Sequence, residues 1–338
     1  MRKFLLLSII LFLVGIALAS YYGLQEPSNK EALTKNPTTV QKITTDPAIS
    51  PVSSLDGRAI WYADKQGKIF RTDLSGSNVT EYPMPFFLDK PLREIRWSQD
   101  ADFIAVGTLD NQNSYTYYDS KTKLYTPLAK NVIEMDWLPD GQRIVLVWQS
   151  NDKKNQQLVV SNADGSGYRV VANLPAPEFI VKASPTGKEA LLLSSKSNAE
   201  NGSILFYNLE DGTQKTLIEG KNIDIKWIGE NQFLYTKAGD SAWPEVYIYN
   251  LKTSKSDSLG INTNLDRISP LNTTQLIAAT TVTTNGNEGD KFVRVNLNDL
   301  SISEFFVPNP PKRAFELFSV NGYSFFIEST TGHIFSLK

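Results

Sequence analysis

The chain lacks the residue types on which several kinds of functional site depend. Its 338 residues include no cysteine and a single histidine, His333. The first absence excludes disulfides, thiolate catalysis, cysteine-ligated zinc and a lipid anchor on an N-terminal cysteine. One imidazole also excludes any site that needs two histidines, so the sequence predicts no metal site and no cofactor. Since proteins of both redox compartments can lack cysteine, this absence does not select a compartment.

A surplus of positive charge is also missing. Lys and Arg number 34 against 36 Asp and Glu, which gives a formal net charge of −2. Binding to a phosphate backbone requires clustered cations, so we do not expect nucleic acid as a partner. Hydrophobic residues make up 41% of the chain and charged residues 21%, a balance typical of a folded body with a packed core.

One long hydrophobic run is present, at the N-terminus. Residues 4–24 are almost entirely apolar and follow Arg2 and Lys3. A bilayer core takes about 20 residues of helix, so we interpret residues 1–24 as a signal anchor that forms one transmembrane helix. The alternative is a signal peptide cleaved after Ala19, because the small residues Ala17 and Ala19 fit a cleavage site.

Both interpretations of this segment predict the same orientation. Cations in front of an apolar segment stay on the cytoplasmic side of the membrane, and the rest of the chain is exported. We therefore expect the bulk of the protein to lie outside the cytoplasm, at the cell surface or in the periplasm. It would be anchored to the membrane, or secreted after cleavage. Residues 25–38 are polar and lack apolar periodicity, which predicts a flexible tether.

The remaining residues, 39–338, repeat one pattern seven times at a spacing of roughly 40 to 50 residues. Each unit is a set of short runs rich in Val, Ile, Tyr and Phe, separated by turn residues such as Asp56-Gly57 and Asp140-Gly141. This predicts an all-β, seven-bladed β-propeller with four strands per blade. The last unit lacks one strand, and residues 40–45 are expected to supply it and so close the ring.

The repeat resembles a known family. Residues 138–171 and 55–82 are similar to the TolB-type WD-like propeller repeat, whose usual phrase is S-P-D-G-x-x-[IV]-[AV]-[FY] followed by [IV]-[YF]-x-x-[DN]-x-[DN]-G-[ST]. Ser184-Pro185-Thr186-Gly187 matches the opening of the phrase. The resemblance also extends to the N-terminal propellers of peptidases. It implies the propeller fold, which serves envelope assembly proteins and peptidases alike.

The first strand of each blade lies nearest the axis, and its charged residues are candidates for a binding site in the channel. Three tryptophans, Trp97, Trp137 and Trp227, share one repeat position, which indicates packing between blades. One place earlier, a mainly cationic collar is expected, formed by Arg96, Asp136, Lys182, Lys226 and Arg267, with Val52 and Leu317 completing the ring. Glu94, Glu134 and Asp224 stand two residues before three of them. Such a collar either binds an anionic group or forms an ion-pair network between blades.

Loop aromatics are the second set of candidates. Phe86 and Phe87 lie between the first and second units, and Trp243 lies in a long loop of the fifth unit. Aromatic side chains on the loops of a rigid scaffold are typical of interfaces, although residues 83–88 fit equally well beneath a blade edge.

Enzyme signatures are missing from the sequence: there is no nucleophile elbow, no H-E-x-x-H motif and no phosphate-binding glycine loop. We therefore expect a membrane-tethered interaction or ligand-binding module that is not an enzyme and that meets a protein or peptide partner on a propeller face. The alternatives are a TolB-like envelope assembly factor and a propeller enzyme or carbohydrate-binding protein that uses the axial channel.

Overall fold

A computed structural model describes residues 37, 39–82, 92–98, 103–108, 115–119, 122–128, 131–175, 179–194, 202–221, 223–284 and 286–338. The predicted anchor of residues 1–24, nearly all of the predicted tether, and Phe86 and Phe87 lie outside these residues. In the described part of the chain, no helix has the length and apolar character needed to cross a membrane.

The predicted seven-bladed, all-β propeller is confirmed: the strands form seven antiparallel sheets of four. Strand β1 is Val40–Lys42. Blade 1 contains β2–β5, which are Ile49–Ser53, Ala59–Ala63, Ile69–Asp73 and Val79–Tyr82. Blade 2 contains β6–β9, which are Leu92–Trp97, Phe103–Thr108, Tyr115–Asp119 and Leu124–Pro127. Blade 3 contains β10–β13, which are Val132–Trp137, Arg143–Gln149, Gln156–Asn162 and Arg169–Leu174. Blade 4 contains β14–β17, which are Phe179–Ala183, Glu189–Ser194, Gly202–Asn208 and Gln214–Gly220.

The remaining blades follow the same order. Blade 5 contains β18–β21, which are Ile225–Gly229, Gln232–Lys237, Glu245–Asn250 and Lys255–Asn262. A single 3₁₀ turn, Leu265–Arg267, then leads into blade 6. Blade 6 contains β22–β25, which are Ile268–Asn272, Gln275–Thr284, Asn287–Asn296 and Ile302–Phe306. Blade 7 contains β26–β28, which are Ala314–Val320, Tyr323–Glu328 and Ile334–Leu337.

The N-terminal strand closes the ring, as predicted. Strand β1 pairs with β28 as the outermost strand of blade 7, with Val40 opposite Leu337. The strand is shorter than the predicted residues 40–45, but the contact continues beyond it: the Ile43 amide donates to the Ile334 carbonyl at 2.8 Å. The buried Thr44 hydroxyl accepts from the Ile334 amide at 3.0 Å. Pairing the first strand with the last removes one exposed sheet edge.

The core lies between neighbouring blades. One buried cluster joins blades 3 and 4 through residues such as Val147, Leu158, Val181 and Tyr207, each exposed by no more than 1%. Successive side chains on a strand point to opposite faces of the sheet, and each face of a blade packs against a different neighbouring blade. Hydrophobic contact on both faces fixes the register of the strands. This packing holds the first strand of each blade at the axis.

Candidate functional site: the axial cavity

Three tryptophans bridge adjacent blades at the axis. The indole N–H of Trp97 donates to the Ser50 carbonyl at 2.6 Å, that of Trp137 to the Arg96 carbonyl at 3.0 Å, and that of Trp227 to the Lys182 carbonyl at 3.2 Å. Each bond runs from the first strand of one blade to the first strand of the blade before it. The packing role predicted for these residues is confirmed, and it fixes the strands from which the charged residues project.

The axial cavity has two parts, an open one of about 520 Å³ and a smaller one of about 280 Å³. Asp136, Lys182 and Asp266 border both parts. The first strands of blades 1, 2, 3, 4, 5 and 7, together with the 3₁₀ turn before blade 6, contribute to the wall. Its charged members are Glu94, Arg96, Asp136, Lys182, Asp224, Lys226, Asp266 and Glu316.

Arg96 is the centre of an ion-pair network. Its guanidinium donates to Glu94 at 2.7 Å, to Glu134 at 2.5 Å and to the Met135 carbonyl at 2.9 Å, so it ties blade 2 to blade 3. Tyr115 donates to the other oxygen of Glu94 at 2.5 Å. Burial alone lowers the pKa of Arg96, but the two glutamates outweigh it and the pKa is raised. This member of the collar therefore has the ion-pair role that the sequence left open.

Asp136 is also engaged by the protein itself. One of its oxygens accepts from the Trp137 amide at 3.0 Å, and the other accepts from the Ala183 amide of the next blade at 2.9 Å. Asp136 nevertheless borders the cavity.

Lys226 points its ammonium group at backbone. Its Nζ donates to the Ile268 carbonyl at 2.6 Å and to the Leu265 carbonyl at 3.2 Å. Burial lowers the pKa of this lysine, while Asp266 and Glu316 oppose the shift. Lys226 thus links blade 5 to the turn before blade 6.

Arg267 lies elsewhere. It is only 3% exposed, does not border the cavity, and forms an ion pair with the buried Asp290 of β24. Its guanidinium also donates to Thr281 at 3.2 Å and stacks 4.7 Å from the centre of the Trp243 ring. The expected place of Arg267 in the collar is wrong, because the 3₁₀ turn over residues 265–267 precedes the strand and turns this side chain away from the axis.

Trp243, predicted as a loop interface residue, is half-buried, and its ring packs against the Arg267 guanidinium. Its interface role stays a prediction for the part of the ring that remains exposed.

Two carboxylates on the cavity wall were not predicted. Glu316 lies near the start of β26, the first strand of blade 7, and Asp266 lies in the 3₁₀ turn. The signal for Glu316 was present: an acidic residue followed by a buried apolar residue recurs as Glu94-Ile95, Glu134-Met135, Asp224-Ile225 and Glu316-Leu317. Leu317, which was expected to complete the collar, is the buried member of this pair at 1% exposure.

Burial also sets the electrostatics of Glu316. Desolvation raises the pKa of its carboxyl to about 7, the negative charge of Asp266 adds to the shift, and Lys226 opposes it. With these two residues included, the wall carries more carboxylates than cations, in contrast to the mainly cationic collar that was expected. Within the described residues, no group of three or more His, Asp or Glu side chains is arranged to hold a metal ion.

Comparisons with known proteins agree with the fold. No protein-family model matches the sequence, and no curated protein sequence matches it either. TolB from Acinetobacter baumannii is a similar solved structure, at 15% identity and a TM-score of 0.51, with 78% of this chain and 64% of that chain covered. A prolyl endopeptidase is similar over 94% of this chain and 50% of that chain, at 13% identity and a TM-score of 0.66. The predicted resemblance to TolB-type and peptidase propellers is confirmed in the fold.

Other similar structures have different activities. An oligogalacturonate lyase from Vibrio parahaemolyticus matches at 12% identity and a TM-score of 0.61, with 88% of this chain and 92% of that chain covered. Because 1390 solved chains match, similarity at this level of identity defines the architecture and leaves the activity open.

Proposed function

We propose that this protein is a non-catalytic binding propeller that recognises a protein or peptide partner at the mouth of its axial cavity. One observation supports this most directly. In the described part of the chain, the side chains of Lys182, Asp266 and Glu316 border the same cavity and have no hydrogen-bond or ion-pair partner. Lys182 and Glu316 are half-buried, and leaving such groups without partners is costly for the fold, so a ligand that pairs with them offsets that cost.

Photo-crosslinking tests the position of the partner. Phe315 is 62% exposed and adjoins Glu316, whereas Tyr168 is 48% exposed on the outer side of blade 3. A benzophenone amino acid in place of Phe315 is expected to capture a defined partner in native membranes, and the same group in place of Tyr168 is not. Capture has to disappear with Lys182→Met and persist with Lys188→Met, an exposed lysine in a turn of blade 4. Equal capture from both positions, or capture insensitive to Lys182, would contradict the proposal.

We also propose that residues 4–24 hold the propeller at the outer side of a membrane. The absence of cysteine permits a direct test, because a single introduced cysteine is the only thiol in the chain. A membrane-impermeant maleimide applied to intact cells should label Glu210→Cys, an exposed position, and should label Lys3→Cys only after lysis. Loss of the N-terminal cysteine from the mature chain would indicate cleavage, and labelling of Lys3→Cys in intact cells would reverse the topology.

A catalytic use of the cavity is the second candidate, and Glu316 is the observation that favours it. A carboxyl with a pKa of about 7 transfers protons effectively at neutral pH. Turnover of an oligosaccharide or peptide that is lost in Glu316→Gln and retained in Glu210→Gln would favour an enzyme. A TolB-like assembly role would be favoured if the captured partner is an envelope protein.

A further inference from the structure

The cavity wall has a surplus of negative charge. Its carboxylates are Glu94, Asp136, Asp224, Asp266 and Glu316, and its cations are Arg96, Lys182 and Lys226. A cavity lined mainly by one sign of charge concentrates ligands of the opposite sign.

Most of these groups already have partners within the protein. Glu94 is bound by Arg96 and Tyr115, and both oxygens of Asp136 accept backbone amides. Asp224 accepts the Ile225 amide at 2.8 Å. These groups shape the wall and are not the ones that need a ligand.

Asp266 and Glu316 are different, because neither has a hydrogen-bond or ion-pair partner in the described part of the chain. Asp266 is exposed to the cavity, and Glu316 is half-buried and borders it. The two are near enough for the charge of Asp266 to affect Glu316, and the nearby Lys226 ammonium is directed at backbone carbonyls instead. These two carboxylates therefore border the cavity without an ion-pair partner in the described part of the chain.

An ammonium group matches these two carboxylates better than a metal ion does. Its three N–H donors match a small number of carboxylate oxygens, whereas divalent metals require more ligands than two carboxylates supply. Lys182, on the same wall, has three N–H donors of its own for an oxygen of the ligand.

We propose, resting on the binding function proposed above, that the axial cavity recognises a primary ammonium group between Asp266 and Glu316. Lys182 donates to an oxygen of the same ligand. The start of a peptide chain, a lysine side chain and a small amine all carry a primary ammonium group, although a simple amine lacks the oxygen that Lys182 would contact, and the test separates them.

Titration calorimetry on the full chain uses four probes: trialanine amide with a free amino terminus, its Nα-acetylated form, Nα-acetyllysine amide and n-butylamine. The expected result is saturable binding of a probe with a free amine and at least about tenfold weaker binding of acetylated trialanine amide, the scale of a lost charged hydrogen bond. Preference for trialanine amide indicates a peptide start, preference for acetyllysine amide indicates a side chain, and equal binding of n-butylamine indicates a small amine.

Variants assign the binding to the two carboxylates. Glu316→Gln and Asp266→Asn should each weaken the preferred amine about tenfold, while Glu210→Gln, at an exposed position away from the axis, should not. Lys182→Met should weaken trialanine amide and leave n-butylamine unchanged. Circular dichroism and thermal melting confirm that each variant is folded.

Three outcomes would overturn this inference: no saturable binding of any amine, equal binding of acetylated trialanine amide, or amine binding that survives both carboxylate variants. The proposed binding function would still stand in each case if photo-crosslinking from position 315 captured a partner that depends on Lys182. Failure of the ammonium site and failure of the binding function are thus distinguishable.

Discussion

Glu316 shows how one buried carboxyl couples the site to pH. Its side chain faces Asp266 in the 3₁₀ turn and Lys226 from β18, and desolvation is the largest cause of its raised pKa. The other charged residues on the elements around it are engaged elsewhere: Arg267 pairs with Asp290, and Glu328 accepts from Thr331. Strands β2, β22 and β23, which also pack against β26, carry no charged residue.

Stability should therefore fall as pH rises through the range set by Glu316. The folded state holds this proton to about pH 7, and the unfolded chain releases it near the ordinary glutamate pKa of 4.5, so the unfolded state gains from deprotonation between these values. The shift corresponds to at most about 3 kcal/mol. Glu316→Gln is expected to raise the free energy of unfolding at about pH 8 and to change it little at about pH 4.

Urea unfolding of the variant and the parent at both pH values measures this difference, with Glu210→Gln as the exposed control. A Glu316→Gln effect that is the same at both pH values would show that the carboxyl titrates normally.

Arg267 illustrates a buried charge with a structural role. Its partner Asp290 is buried at 1% exposure and also accepts the Ala314 amide, which joins blade 6 to blade 7. Arg267→Met leaves that carboxylate unpaired, and we expect a loss of about 3–5 kcal/mol in the free energy of unfolding.

The matched control for this change is Arg313→Met. Arg313 pairs with Glu288 at 2.9 Å, but the two side chains are 40% and 59% exposed. This variant should cost less than about 1 kcal/mol. Equal losses, measured by urea unfolding, would mean that the Arg267 pair is not desolvated as the structure shows.

The strands that line the cavity could be predicted from the sequence, but some of the side chains that face it could not. The positions of Arg96, Asp136, Lys182 and Lys226 on the cavity wall followed from the repeat, whereas Arg267 did not belong there. Side chains on a strand alternate between faces, so a shift of one residue moves a side chain to the other side. An inserted turn before β22 cannot be counted from composition or spacing, although the acidic-apolar pair of Glu316 and Leu317 was visible.

At the scale of elements, the tight turns were predicted from the sequence and their contacts were not. Gly76 and Gly165 occupy the same turn in blades 1 and 3, with φ of +78° and +84°. A Cβ at Gly76 would collide with the Ile43 carbonyl just beyond β1, whereas nothing lies within 4 Å of a Cβ at Gly165. The first turn therefore packs against the strand that closes the ring, and the second turn is open.

Alanine at these two positions distinguishes the cost of a positive φ, which both share, from the cost of a steric clash, which only Gly76 would have. Gly165→Ala should cost about 1 kcal/mol, because only the positive φ is unfavourable for alanine. Gly76→Ala should cost about 1–3 kcal/mol more, because the turn or the closing strand has to move. Thermal and urea unfolding of the two variants make the comparison, and equal costs would show that the turn does not contact the closing strand.

At the scale of the whole molecule, closure depends on a short strand. The incomplete seventh repeat and the β-like residues near position 40 were sufficient to predict the pairing of β1 with β28. What the sequence did not reveal is how far the contact extends: Thr39 and Lys338 exchange both backbone hydrogen bonds, at 2.8 and 2.9 Å. Residues that exchange both bonds in an antiparallel pair have Cα atoms about 5.5 Å apart.

That separation lies in the range that a disulfide spans, about 4.4–6.8 Å. In the otherwise cysteine-free chain, Thr39→Cys with Lys338→Cys should form one defined bridge on mild oxidation. The bridge closes a loop of nearly the whole propeller, and loop-entropy arguments set its stabilisation at no more than about 6 kcal/mol. The oxidised variant should melt at a higher temperature than its reduced form, while Thr39→Cys alone should show no such difference. A chain that forms no intramolecular bridge, or whose bridge leaves the melting temperature unchanged, would mean that the ends of the propeller do not meet in one blade.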